Sequence, residues 1–104
     1  MLQIEKMKKL NKIYSKGCRR ILLALLEKER RWRDLERIED KRTVSQCIDV
    51  LIKLGLAKPY IDYSESVKGV KKYKLTKKGV ELATRLKELE DFFEKEIVNS
   101  SHEV

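Results

Sequence analysis

Apolar residues recur along this chain with two periods. Up to Gly55 they follow the three-to-four spacing of helices, from Leu56 to Leu75 they alternate, and beyond Thr76 the helical spacing returns. Met7, Leu10 and Tyr14 stand among lysines and predict an amphipathic helix over 2–14. Ser15 is placed to cap a second helix reaching about Lys28, whose core face carries Cys18, Ile21, Leu22 and Leu25. Arg30-Arg31-Trp32-Arg33 reads as a linking strand or turn. Asp34 then opens a short helix with Leu35 and Ile38 inward, and Trp32 is expected to pack over it rather than serve as a platform for bases.

The next helix puts Val44, Cys47, Ile48 and Leu51 on one face, with Gly55 where a left-handed stop is needed. Its opposite face collects Arg42, Gln46, Asp49 and Lys53, with Ser45 on the flank. Asp40 is the preferred N-cap, and Thr43 in a capping box with Gln46 is the alternative. Leu56–Tyr63 and Val70–Leu75 predict two antiparallel strands around Ser64-Glu65-Ser66-Val67-Lys68-Gly69. Tyr73 and Leu75 alternate with Lys72 and Lys74, giving one buried and one basic side, and Pro59 marks the first strand as an edge. Thr76 caps a closing helix of about 20 residues, about 30 Å long.

That last helix spaces Leu82, Leu86, Leu89 and Phe93 by 4, 3 and 4, the pattern of a coiled-coil seam, which Phe92 and Ile97 widen. A second copy buries such a stripe more readily than a small body does, with Met7, Leu10 and Tyr14 as natural contributors. The expectation is a homodimer. The architecture expected is α+β and mostly helical, a single domain over 1–104, with 1–14 and 76–97 as dimerisation elements and 98–104 a disordered tail.

Charge sharpens this picture. Residues 1–80 hold 22 Lys/Arg against 10 Asp/Glu, whereas 81–104 hold 3 against 7. A basic body with an acidic end suits a polyanion partner for the body and another role for the last helix. Charged residues make up 40% of the chain, with only two Asn and two Gln, a balance reminiscent of thermophilic proteins. No apolar run approaches a membrane span of about 18 residues, and no leader pattern is visible, so the expected compartment is the cytoplasm.

Candidate chemistry is sparse. The single histidine, His102, lies in the polar tail, and no Gly-rich phosphate cradle or paired-carboxylate site appears, which argues against an enzyme. Cys18 and Cys47 lie 29 positions apart, neither a zinc-knuckle spacing nor a CxxC redox pair. Each lies on an apolar helix face and is expected to act as a small buried hydrophobe. No metal or other cofactor is expected.

The order Thr43-Val44-Ser45, Leu51, Gly55-Leu56, then Tyr73-Lys74-Leu75-Thr76-Lys77-Lys78-Gly79 resembles the winged helix-turn-helix of small prokaryotic transcription regulators of the MarR, ArsR and HxlR kind. The resemblance covers about Tyr14 to Leu89. It implies a DNA-reading helix, a wing and a long closing helix. The thiolate or imidazole cluster that metal sensing of the ArsR kind requires is missing from the sequence. Some HxlR-like regulators sense electrophiles through a cysteine near the amino terminus, a position that Cys18 matches only loosely.

On that resemblance Lys41, Arg42, Thr43, Ser45, Gln46 and Asp49 form the DNA-contacting part of the reading helix. Arg42 can donate two bonds to a guanine edge and Gln46 can bond an adenine edge, while Thr43 and Ser45 suit phosphates or a thymine methyl. Lys68, Lys71, Lys72 and Lys74 of the hairpin act as point charges for phosphates, tempered by Glu65 at the tip. The dimer contacts expected are Met7, Leu10, Tyr14, Leu82, Leu86, Leu89 and Phe93. The function expected is a homodimeric, sequence-specific double-stranded DNA-binding transcription regulator. Two alternatives stay open, namely a sequence-tolerant architectural or chromatin DNA binder and a winged-helix protein–protein adaptor.

Overall fold

The computed structural model describes residues 2–98, with side-chain surroundings from residue 8 onward. Five helices and a two-stranded sheet follow in the order α1 (Leu2–Tyr14), α2 (Lys16–Glu27), α3 (Trp32–Glu36), α4 (Lys41–Lys53), β1 (Ala57–Asp62), β2 (Val70–Leu75) and α5 (Lys77–Phe92). A π-helical extension, Phe93–Val98, continues α5. This is the mostly helical winged-helix arrangement that the spacing of apolar residues and turns anticipates.

The core is made where α2, α4 and the first half of α5 meet. Ile21, Leu22, Leu35, Val44 and Leu51 are fully buried, and Ile48, Ala83 and Leu86 join them. α1 contributes Ile13, which is 1% exposed, whereas Leu10 and Tyr14 face outward at 39% and 50%. The inward anchor of α1 among the described side chains is therefore Ile13, while Leu10 and Tyr14 of the lysine-flanked stripe stay on the outside. The Met7 side chain lies outside the described residues, as do 99–104 with His102.

The caps follow from local chemistry. Asp40 accepts from the Thr43 amide at 2.8 Å, which settles the start of α4 in favour of Asp40. Ser15 stands before α2 but does not cap it; its hydroxyl turns back and donates to the Lys12 carbonyl at 2.6 Å. α3 begins two residues earlier than Asp34, with Arg31 preceding it and the Asp34 carboxylate accepting from the Arg31 amide.

β1 and β2 pair antiparallel from Ala57↔Leu75 to Asp62↔Val70. A single bridge, Arg30↔Tyr73, adds the linker before α3 to the other side of β2. β2 is thus central and β1 is the edge, so Pro59 withholds no needed donor. Trp32 packs on the core with its ring 5.9 Å from that of Tyr73.

The wing is pinned to α4 and α5 at one junction. Gly55 takes φ 73°, the left-handed conformation that ends α4. The Thr76 hydroxyl donates to the Gly55 carbonyl at 2.6 Å and accepts from the Gly79 amide, so one side chain joins the end of α4 to the start of α5. Gly79 is buried against Leu56, and a Cβ there would collide with the Leu56 carbonyl oxygen. Among the described residues no helix is long and apolar enough to cross a membrane.

Candidate nucleic-acid interface

α4 separates its two faces cleanly. Val44, Cys47, Ile48 and Leu51 are buried, while Lys41, Arg42, Ser45, Gln46 and Asp49 are exposed. Its polar end begins right after the Asp40 cap, whose carboxyl is held below the usual carboxylate range by hydrogen bonds from Thr43. Thr43 is half-buried, with its methyl turned toward Gly17 of α2.

Two of these polar side chains already have protein partners. The Gln46 Oε1 accepts from Lys12 Nζ of α1 at 2.8 Å. Asp49 pairs with Lys53 at 3.0 Å along the helix, which offsets the one negative charge of the face. Lys12 is a cation beside the exposed polar face of α4 that sequence reasoning missed. It lies 34 positions from Gln46, and only the packing of α1 on α4 brings it there.

The wing is less uniformly basic than its lysine count suggests. Lys72 Nζ lies 2.6 Å from Asp62 and 4.0 Å from Glu65, and its side chain is largely shielded from solvent. That pair drives the Asp62 carboxyl far below the normal range, with further bonds from Ser64, and raises the Lys72 ammonium. Lys72 is consequently engaged inside the hairpin. Lys74 stands opposite Lys58 in register, and its Nζ sits 4.7 Å from the Tyr60 ring centroid, a cation–π placement that turns it from its like-charged neighbour. Lys68 and Lys71 are exposed. At the tip Val67 is 97% and Tyr63 66% exposed.

Beside the wing a polar cleft of about 540 Å³ is lined by Lys28, Arg30, Arg31, Arg37 and Lys72 together with the carboxylates of Glu29, Asp34 and Glu65. Arg30 is spent on structure, donating to the Ala24 carbonyl and pairing with Glu27, and Arg31 pairs with Asp34. Among the described residues no cluster of three or more His, Cys, Asp or Glu could hold a metal ion.

The apolar stripe of α5 divides in two. Leu86 is 7% exposed inside the core, whereas Leu82 packs on the same core but is only partly buried. Leu89, Phe92, Phe93 and Ile97 are 47–62% exposed. Arg19 of α2 reaches Glu90 at 3.0 Å and anchors α5 just where its free apolar half begins.

Cys18 and Cys47 are both 0% exposed, as expected for buried hydrophobes, but they are joined in a disulfide that ties α2 to α4. Their spacing carries no signal for a bridge, because proximity comes from the crossing of two helices and not from a local motif.

No protein-family model and no curated protein sequence matches the chain. Its fold is shared with solved structures. A protein described as a MarR-family transcriptional regulator from Enterococcus faecalis V583 superposes with a TM-score of 0.72 at 20% identity, covering 96% of this chain and 92% of that one. ZitR of Lactococcus lactis, solved as a C30AH42A mutant in apo form, gives 0.73 at 13%, covering 99% and 78%. The transcriptional repressor BigR of Xylella fastidiosa gives 0.64 at 21%, covering 84% of each chain. The chain is thus a winged helix of the kind seen in MarR-like regulators.

Proposed function

We propose that this protein is a sequence-specific double-stranded DNA-binding transcription regulator acting as a homodimer. The observation that carries the reading is the exposed polar end of α4. Lys41, Arg42, Ser45 and Gln46 start immediately after a firm cap on a helix whose other face is wholly buried. A helix so mounted fits the major groove with its first turns against base edges. Lys68 and Lys71 of the wing supply phosphate contacts without reading sequence. The similar structures from Enterococcus faecalis and Xylella fastidiosa are described as a transcriptional regulator and a transcriptional repressor, which supports the same reading.

The second copy belongs on the outer half of α5. Leu89, Phe92, Phe93 and Ile97 form an exposed apolar strip, and Leu10 and Tyr14 of α1 are exposed as well. The acidic balance of residues 81–104 keeps this end off phosphates. Two reading helices related by a twofold axis favour an inverted repeat with half-sites about one helical turn apart.

One observation favours a more sequence-tolerant binder. Gln46, one of two side chains suited to base edges, is held by Lys12. Selection of bound duplexes from a random pool decides among the three readings. The proposed function gives an enriched inverted repeat; binding without enrichment selects the architectural alternative, and absence of binding selects the adaptor.

A further inference from the structure

We infer that the polar cleft between α3 and the wing binds the phosphoanhydride chain of a small polyphosphate, free or carried by a nucleoside, with Lys28, Arg31 and Arg37 as its cationic contacts. This site is separate from the polar face of α4 and does not rest on the function proposed above.

Three segments converge on the cleft. The α2–α3 linker brings Lys28, Arg31 and Arg37 stand at the two ends of α3, and the hairpin brings Lys72 and Glu65. Their mutual position is fastened by contacts of the linker. The Arg30 amide and carbonyl bond to Tyr73 of β2 at 3.0 and 2.7 Å. The Arg30 side chain donates to the Ala24 carbonyl at 3.1 Å and pairs with Glu27 at 2.8 Å. The Glu29 carboxyl is held below its ordinary value first by its own backbone amide and next by the Tyr60 hydroxyl of β1. The linker is thus tied both to α2 and to the sheet, and a cleft with fastened walls needs little ordering when a ligand enters.

Five cations and three carboxylates line the cleft, and most of them are already matched. Arg30 is taken by Glu27, and Lys72 lies between Asp62 and Glu65. Asp34 accepts from the Arg31 amide at 3.1 Å and from Arg31 Nε at 3.4 Å, which leaves the two terminal nitrogens of Arg31 free. The side chains of Lys28 and Arg37 make no hydrogen bond or ion pair among the described residues. The Asp34 carboxyl is lowered chiefly by the Arg31 amide, with smaller effects from the charges of Arg31 and then Arg37, so both guanidinium groups stand near one carboxylate. The unspent donors are therefore the outer edge of Arg31, the whole fork of Arg37 and the Lys28 ammonium.

This donor set suits adjoining phosphates. A guanidinium can donate two parallel bonds to one phosphate, and an ammonium adds a point charge without directional demand. The volume of about 540 Å³ lies in the range of small-molecule sites and leaves room beyond a chain of phosphates. Every lining side chain is charged, so the cleft has no apolar slot for a base and recognition falls on the phosphates. A duplex backbone is a poorer occupant. It is a stiff convex rod, and Glu29 and Glu65, both exposed at this cleft, meet it with like charge.

The test is calorimetric titration of the full-length protein with inorganic triphosphate and, separately, with ATP, at about 0.15 M salt. Both should bind saturably, one per chain, with affinities within about threefold of each other because the phosphates carry the recognition. Arg31→Ala with Arg37→Ala should weaken both at least about tenfold. Lys77→Ala with Lys78→Ala removes the same charge from exposed positions at the start of α5 and should change either affinity less than about twofold. Arg37→Ala alone, at a side chain with no structural bond to lose, should weaken both by about threefold or more and decides the matter if the double variant does not fold. ATP binding far tighter than triphosphate retains the site and assigns it to nucleotides; the reverse order retains it for the inorganic chain. Absence of saturable binding, or equal losses from the two double variants, overturns the inference. Loss of duplex binding on removing Arg31 and Arg37, with neither polyphosphate bound, also overturns it and gives the cleft to the DNA backbone.

Discussion

Lys12 and Gln46 meet through a 2.8 Å hydrogen bond from the lysine ammonium to the amide oxygen, joining α1 to the exposed polar face of α4. An amide reads adenine by using its oxygen and its nitrogen together, so this bond competes with base recognition. Gln46→Ala and Arg42→Ala should each reduce discrimination between preferred and random duplexes by roughly 1–3 kcal/mol. Lys12→Ala should leave discrimination intact or sharpen it while weakening both duplexes slightly. Lys71→Ala should weaken both about equally, because a lysine on phosphate senses charge alone. Competition binding with paired duplexes measures all four; equal losses of discrimination from Arg42→Ala and Lys71→Ala would support the architectural alternative.

Within α5, assembly should respond to the outer half and not to the inner half. Leu89 and Phe93 are exposed, whereas Leu86 is buried within its own chain. Leu89→Glu with Phe93→Glu should therefore give a folded monomer. Leu86→Glu should instead lower stability severely, since it places a charge in the core without a partner. Light scattering and circular dichroism at matched concentration separate these outcomes. A wild-type monomer, or a double variant that stays dimeric, places the free apolar strip in another role.

That division of α5 was not legible in the sequence. The spacing of Leu82, Leu86, Leu89 and Phe93 is uniformly helical, and only the packing of the rest of the chain against α5 decides where intrachain cover ends. The same limit applies to α1, where Ile13 is buried and Tyr14 is not, because helical spacing fixes a face without fixing which neighbour claims it. What local chemistry dictates was readable: the Asp40 cap, the Gly55 stop, the alternation in β2 and the Thr76 cap. Lys12 beside Gln46, Asp62 on Lys72 and the Cys18–Cys47 bridge all depend on tertiary or cross-strand approach.

Gly79→Ala should destabilise the protein by about 1–3 kcal/mol, because the methyl group has no room against the Leu56 carbonyl and α5 must shift from the wing. Val80→Ala, at an exposed neighbouring position, should change stability by less than about 1 kcal/mol. Urea unfolding midpoints check the contrast; equal effects would mean the α5 start is loosely seated.

Acid should loosen the wing. Asp62 is depressed chiefly by its bond to Lys72, so its contribution is complete above the unfolded carboxylate value of about 4 and is lost as pH falls below it. Asp34 and Asp40, depressed by bonds from Arg31 and Thr43, act in the same direction. The protection of the hairpin amides, measured relative to the intrinsic exchange rate at each pH, should therefore fall on acidification below about pH 4. In Asp62→Asn the hairpin should exchange faster at neutral pH and show a smaller acid response.

The central claim is that the basic body binds duplex DNA through its phosphates. The most direct measurement is the affinity for a duplex as a function of salt concentration. If a dimer neutralises about six phosphates, log K should fall with log salt at a slope of about −5. A slope near zero, or no binding at low salt, would contradict the account and leave the exposed face of α4 to a protein partner.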